Sequence, residues 1–403
     1  DTPTVTVLVL VEAGSKYETK KINGISHFLE HMCFKGTKKR PTALHISKEL
    51  DGIGAQYNAF TSHEYTGYYA KAEKKHFNTI LDVVSDIYLH PVFDAREVEK
   101  EKGVIIDEIN MYEDLPNHHV HDLFGEILYG NQPAGWSVLG TKEIIKSLSR
   151  NDFVAYRGKH YVASSTIIVI AGNISEAKAI GKVKEKFAAI STDKKGGKLK
   201  VKESQMKPEI ILKYKKTDQT HLVLGFRAFD AFSKLRPVLT VIAAILGSGM
   251  SSRLFQKLRD EMGVGYYVRA DSDLYTDHGS IAVSTGVANP RTGEVIAAIL
   301  EEFGRLKREL VSRDEMDKVK EHLIGTMYLE LEPTDTIATF YGGQEVITGK
   351  MKKAVEIAKE IRKVTPGQIR ELSKKLFNGR GLNMAMIGPF KNKKVFERVF
   401  RFR

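Results

Sequence analysis

The chain has 403 residues, 42% of them hydrophobic and 28% charged, which fits about two folded domains and excludes a disordered chain. A single cysteine, Cys33, excludes a disulfide scaffold and any zinc module built on two or four cysteines, and no apolar run reaches the ~18–20 residues of a membrane span. Against 50 Asp+Glu stand 62 Lys+Arg, a net charge of +12, but the lysines are scattered in short runs without interleaved aromatics, which reads as a solvated surface and not as a nucleic-acid interface.

The sequence opens Asp1-Thr2-Pro3 without an initiator Met, as a trimmed N-terminus would. Thr4–Val11 is an apolar, β-branched run and predicts a buried strand. A helical stretch starts at Asn23 or Ser26 and stops at Gly36, and Pro41–Leu50 predicts a second helix. Tyr57–Ala72 reads as strand, turn, strand. Phe77, Ile80, Leu81, Val84, Ile87 and Tyr88 recur at helical spacing and predict a helix over Phe77–Leu89. Arg96–Tyr112 predicts a long helix ending near Pro116, and Ile167–Ala171 a strand closed by Gly172. Ser191–Gln205 is polar, Lys-rich and carries a Gly pair, the composition of a linker.

Beyond the linker the same grammar recurs. Leu222–Phe226 predicts a strand and Leu239–Leu246 a helix; Gly263–Asp271 matches Gly52–Phe60, and Val295–Leu306 echoes Phe77–Leu89. Arg313–Ile324 resembles Ala95–Ile106, and Met384–Gly388 closes the second half as Val169–Gly172 closes the first. The offsets, 211 residues from Gly52 to Gly263 and 216 from Gly172 to Gly388, argue for a duplicated domain. The division expected is residues 1–190, a linker 191–205, and residues 206–403.

The sharpest local signal is His27-Phe28-Leu29-Glu30-His31. On a helix, residues i and i+4 share a face, so both imidazoles can reach one Zn²⁺ at ~2.0–2.1 Å. Glu30 flanks that face, where a carboxylate can take a proton from a metal-bound water without being a ligand. Phe28, Leu29, Met32 and Phe34 bury the helix, and buried paired histidines need a partner. A third ligand is expected from the long helix after Asp94. There Glu101 and Glu108 are seven residues apart and share nearly one stripe, beside the apolar Val104, Ile105, Ile106 and Ile109. One could bind the metal and the other orient a histidine; surface ion pairs with Lys100 and Lys102 are the alternative for both. The spacing does not choose between the two glutamates.

HFLEHMCFKGT, with 76 residues (Met32 to Asp107) separating its second His from a Glu within EKGVIIDE, resembles the M16 metallopeptidases, and the likeness runs over essentially the whole chain. That family includes the mitochondrial processing peptidase and insulin-degrading enzyme. The resemblance implies that His27, His31 and Glu108 are zinc ligands, that Glu30 is the general base, and that Glu101 is an auxiliary acid on the same helix. It implies an α+β fold of two homologous domains, each a mixed, largely antiparallel sheet with helices mainly on one face. Asn58-Ala59-Phe60-Thr61, with Glu64, Thr66 and Tyr68, resembles the family's edge strand, on which substrate adds itself as an extra strand. Arg259 and Tyr266, after Ser251-Ser252-Arg253-Leu254-Phe255, resemble the family's far-domain pair, which reaches across a closed chamber to the substrate carbonyl.

The second half has Gly247–Arg253 where the first has its His, Glu and His, so one zinc per chain is expected. The implied function is a zinc endopeptidase for peptides and unfolded segments, working as a self-sufficient homodimer. Its class alternative is a non-catalytic assembly subunit, which would have lost ligand residues. A cytoplasmic location is the default expectation. His118, His119 and His121 read as a solvated loop, Cys33 as a core thiol turned from the metal face, and Trp136 as packing under a loop.

Overall fold

The computed structural model describes residues 2–402. The first half contains β1 (Thr4–Val11), α1 (Ile25–Cys33), α2 (Ala43–Asp51), β2 (Gln56–Thr61), β3 (Thr66–Glu73), α3 (Phe77–Leu89), α4 (Ala95–Asp114), α5 (Pro116–Tyr129), α6 (Lys142–Ser147), α7 (Arg150–His160), β4 (Thr166–Gly172) and α8 (Glu176–Lys186). The second contains β5 (Glu209–Tyr214), β6 (Gln219–Ala228), α9 (Arg236–Gly247), α10 (Arg253–Phe255), β7 (Gly265–Leu274), β8 (Gly279–Ala288), α11 (Thr292–Arg308), α12 (Arg313–Glu330), α13 (Thr334–Thr348), α14 (Ala354–Arg362), α15 (Pro366–Leu376), β9 (Leu382–Gly388) and α16 (Lys394–Glu397). The chain forms two compact units, and each takes one helix from the other half of the sequence.

Unit one comprises residues 1–111, 136–199 and 329–352. Its sheet has the order β2-β3-β1-β4, antiparallel throughout. β1 explains its own sequence. Val5, Val7, Val9 and Val11 face a core shared with Phe77, Ile80, Leu81 and Val84 of α3 and with Phe28 and Met32 of α1. Leu8 and Leu10 face the other way, against Ala338 and Val346 of α13. A strand covered on both faces needs a continuous apolar run, not an alternating one. Gly342 allows the close approach of α13: a Cβ there would lie 2.7 Å from Leu10 Cδ1. Thr334 and Asp335 at the start of α13 bond Thr6 (2.8 Å) and Lys71 (2.8 Å).

Unit two comprises residues 112–135, 200–328 and 353–403. Its sheet has the order β5-β9-β6-β8-β7, with β5 parallel to β9 and the remaining pairs antiparallel. Taking β7, β8, β6 and β9 as the counterparts of β2, β3, β1 and β4 gives the same strand order in both sheets, which is the duplication the sequence offsets imply. Leu222, Leu224 and Phe226 of β6 face α9 and α11, while Val223 faces Val120, Phe124 and Ile127 of α5. So most helices of each unit cover one sheet face, and the exchanged helix covers the other.

Three local readings need correction. The helix of the histidine motif ends at Cys33, not at Gly36; Gly36 has φ +140° and lies against Pro41, whose carbonyl oxygen would be 2.5 Å from an added Cβ. Pro116 does not only stop α4: it occupies the first turn of α5, where a missing N–H costs nothing. His118, His119 and His121 are therefore helical, with His118 edge-on to Tyr112 and His119 bonded to Lys213. The linker has no helix or strand yet is fastened along its length. Gly196 N–H donates to Lys159 O (2.9 Å) and Lys195 pairs with Glu12 in unit one, while Val201 N–H donates to Asp277 (2.9 Å) in unit two. The change of unit falls between Leu199 and Lys200.

Candidate metal centre

α1 buries Ile25, Phe28, Leu29 and Met32 in the core of unit one, and this fixes which way its other side chains point. His27 and His31 lie one turn apart with ring centroids 4.7 Å from each other. α4 buries Val98, Glu101, Ile105 and Ile109 as its inner stripe, and Glu108 sits at the edge of that stripe. Val104, by contrast, is exposed and takes no part in it.

Glu108 Oε2 stands 3.6 Å from His27 Nε2 and 3.6 Å from His31 Nε2. Those separations are too long for hydrogen bonds. They match the ~3.3–3.6 Å between donors that each lie ~2.0–2.2 Å from one tetrahedral centre. The donor atoms of His27, His31 and Glu108 all lie within 4.8 Å of one another, and no other such group of three occurs among the described residues. Two imidazole nitrogens and one carboxylate oxygen are a donor set suited to zinc with a fourth position open.

The surrounding groups orient these donors. His31 Nδ1 is 2.9 Å from Glu101 Oε1, and Lys35 Nζ is 2.6 Å from Glu101 Oε2. Burial works to raise the Glu101 carboxyl, but its hydrogen bonds with His31 and Lys35 outweigh it and hold the group below its ordinary value. An ionised Glu101 only accepts, so His31 carries its proton on Nδ1 and presents the Nε2 lone pair. This separates the two glutamates that spacing left equivalent: Glu108 faces both Nε2 atoms, and Glu101 stands behind His31. Burial pulls His27 down to about 3, which keeps it neutral. His27 Nδ1 is buried without a hydrogen-bond partner.

Glu30 is 9% exposed, and Thr61 Oγ1 donates to its Oε2 at 2.5 Å. Burial pushes the Glu30 carboxyl above its ordinary value, and the Thr61 hydrogen bond opposes that rise. Nothing in the spacing of the motif pointed to this bond or to Lys35. Each sits inside a stretch already singled out, but the contacts arise only from the packing of β2 on α1 and of α4 beside it.

β2 is the outer strand of its sheet. The hairpin to β3 closes with Ser62 N–H to Tyr65 O (2.9 Å). Antiparallel alternation then turns the main-chain N–H and C=O of Asn58 and Phe60 toward β3, and those of Tyr57, Ala59 and Thr61 toward the open edge. Side chains follow the same period of two. Tyr57 and Ala59 pack toward the α1 core, whereas Phe60 packs with Tyr65 and Tyr69 on the opposite face. Of the expected Asn58, Ala59 and Phe60, only Ala59 offers its main chain to the edge. Asn58 reaches that edge through its side chain, whose Oδ1 accepts from Ala59 N–H at 2.9 Å.

In unit two, Arg259 lies on a π-helical segment, Gln256–Glu261, and donates to Gly265 O at 3.0 Å. The ladder between β7 and β8 slips between Gly265 and Tyr267, which leaves Tyr266 as the extra residue of a bulge on an outer strand. Bulges re-aim side chains, and Tyr266 is 60% exposed. It does not serve the core of its own unit. Arg253, of the same stretch, is instead tied into an ion-pair network with Glu302 and Glu315. Cys33 is a core thiol, raised to about 12 by burial, and Trp136 lies under Lys20.

Residues 1–142 match the family described as Insulinase (Peptidase family M16), and residues 147–323 match Peptidase M16 inactive domain. An uncharacterized zinc protease of Bacillus subtilis is 37% identical over 388 residues, covering 96% of this chain and 94% of its own. The chain belongs to the M16 peptidase family. A second M16 relative, an uncharacterized zinc protease of Streptomyces coelicolor, is 31% identical and covers 96% of this chain and 85% of its own. The M16 fold is equally plain: a protease structure from Helicobacter pylori superposes with a TM-score of 0.89 at 20% identity, over 96% of this chain and 94% of that one. A structure from Pseudomonas fluorescens titled peptidase M16 inactive domain gives a TM-score of 0.88 at 17% identity, over 97% and 94%.

Proposed function

We propose that this M16 chain is a zinc endopeptidase that hydrolyses peptides and unfolded segments. The observation that supports this most is the convergence of His27, His31 and Glu108 with the buried carboxylate of Glu30 beside them. Zinc in such a donor set lowers the pKa of a bound water to about 7 and polarises a carbonyl. His27 and His31 would hold the metal through Nε2 and Glu108 through a carboxylate oxygen. Glu101 fixes the His31 tautomer, and Lys35 fixes Glu101. Glu30, itself buried and held by Thr61, takes the proton of the attacking water and returns it to the leaving amine.

The open edge of β2 is proposed to receive substrate as an added strand through the main chain of Tyr57, Ala59 and Thr61, which makes little sequence demand. Arg259 and Tyr266 are proposed to stabilise negative charge on the substrate carbonyl oxygen, which fits the exposed phenol on a bulge. One zinc per chain and a homodimer complete the reading.

The test is cleavage of a mixed peptide library by the purified protein, with zinc content measured before and after a chelator. Hydrolysis that disappears with the metal and returns on adding zinc is the expected result. Stoichiometric zinc with no cleavage of any peptide would favour the assembly-subunit alternative.

A further inference from the structure

α1 begins without a cap of its own. Its N-cap residue is Gly24, at φ +96°, which has no side chain to satisfy the first-turn N–H groups. A Cβ at Gly24 would meet Leu139 O at 2.6 Å, and one at Gly140 would meet Asn23 O at 2.2 Å, so the two backbones are pressed together there. The missing cap is supplied from a distance by Glu18. Its Oε2 accepts from Gly24 N–H at 2.7 Å and from Asn23 Nδ2 at 2.9 Å, and its Oε1 accepts from Ser26 N–H at 2.8 Å. Glu18 is 3% exposed and these three donors surround it. Asn23 Nδ2 also donates to Ser137 O (3.0 Å), and Ser26 Oγ meets Tyr156 OH (2.8 Å).

Three donors around one buried carboxylate mark an acceptor site held on both oxygens. A carboxylate at a helix N-terminus is favoured by the aligned peptide dipoles, and more so when water is excluded. What distinguishes this cap is its place: His27 follows Ser26 directly, so the turn that Glu18 fastens is the turn that carries the first histidine. His31 has its own brace in Glu101; His27 Nδ1 has no partner.

We infer that Glu18 is the positioning residue for His27: by capping α1 from outside the helix it fixes the first turn, and thereby sets the affinity of the His27, His31 and Glu108 site for zinc. The inference rests on the zinc reading above.

Glu18→Gln tests it, because the shape is kept while one acceptor becomes an amide donor facing an N–H. Zinc affinity is read by competition with a chromophoric chelator, at a temperature where circular dichroism shows the metal-free proteins folded. The expected result is a zinc Kd about 10–100-fold weaker than that of the unaltered protein, the loss typical of groups that orient a metal ligand. Thr365→Ala removes the cap of α15 in unit two, where Thr365 Oγ1 accepts from Gln368 N–H at 3.2 Å, and should lower the melting temperature with zinc Kd unchanged. A Glu18→Gln Kd within about threefold of the unaltered protein would reduce Glu18 to an ordinary structural cap and overturn the inference. Should Glu18→Gln not fold, Asn23→Ala decides by the same measurement: a weaker Kd supports the inference and an unchanged one overturns it. Failure of the unaltered protein to bind zinc would remove the functional reading itself, a result distinct from zinc that binds equally well without Glu18.

Discussion

Thr61→Val keeps the shape of the side chain and deletes the hydroxyl that donates to Glu30 Oε2 at 2.5 Å. The acceptor is a carboxylate that is 9% exposed, so little water stands ready to replace the lost bond. A hydrogen bond to a charged group is worth about 1.5–3 kcal/mol, and the ionised carboxylate loses that stabilisation when the hydroxyl is removed. The direction follows from which form is bonded. Burial disfavours the ionised carboxylate and the hydroxyl favours it, so removing the hydroxyl leaves burial unopposed and raises the group further. A base that must be ionised then fails at a higher pH. The acid limb of kcat/KM against pH should move up, so that at a fixed pH on that limb kcat/KM falls by about 10-fold or more, while activity well above the limb stays within a few-fold of the unaltered enzyme. The assay is hydrolysis of a fluorogenic peptide across pH, with zinc content measured at each point so that metal loss is not mistaken for titration. Because Glu30 and the metal site titrate as a coupled set, the shift between the two proteins is the quantity to compare. Coincident acid limbs, or a shift toward lower pH, would refute the reasoning.

Three further outcomes follow from the geometry. Tyr266→Phe should lower kcat by about 10²–10³ if the phenol is an aligned oxyanion donor, and should leave the urea midpoint unchanged because the side chain is exposed; a fallen midpoint with normal kcat would contradict this. Arg40→Met strips a guanidinium bonded to Glu49, Asp82 and Asp86, and should cost about 3–5 kcal/mol in urea unfolding near neutral pH. Burial works to raise the Asp82 carboxyl, but Lys186, Lys39 and Arg40 hold it well below its ordinary value; that stabilisation is present above the unfolded carboxylate pKa of about 4 and fades as pH falls below it, so the deficit of Arg40→Met should hold down to about pH 4 and narrow below it, and a deficit that widens there would be wrong for this network. Gly342→Val forces a side chain into Leu10 and Val169 and should destabilise unit one by about 1–3 kcal/mol; an unchanged unfolding midpoint would mean that α13 is not seated as described.

The parts legible in the sequence are those governed by local pattern. Phe77–Leu89 is helical over the predicted range, since its apolar spacing is unbroken. The strand Thr4–Val11 declared itself by being β-branched throughout its first half and apolar at successive positions from Val7 to Val11, because both its faces are covered. What covers the second face was not legible. Ala338 and Val346 form an apolar stripe, as do Val120, Phe124 and Ile127, but a stripe does not name the sheet it will meet. The linear division at Ser191–Gln205 therefore missed the exchange of α5 and α13 between the units. The same limit applies at the metal centre. Spacing placed Glu101 and Glu108 on one stripe of α4, yet which of them faces the Nε2 atoms depends on how α4 lies against α1. At β2 the period of two was visible, but its phase was not: pairing with β3 decides that Tyr57, Ala59 and Thr61 hold the open edge.

The central claim is tested most directly by Glu30→Gln, with zinc content and peptide hydrolysis measured on the same preparation. Glu30 is bonded to Thr61 and is not one of the three converging donors, so the variant should keep its zinc and lose about 10²–10⁴-fold of its hydrolysis. Full activity would show that the proton is taken elsewhere, and loss of zinc would make Glu30 a ligand and contradict the assignment of His27, His31 and Glu108.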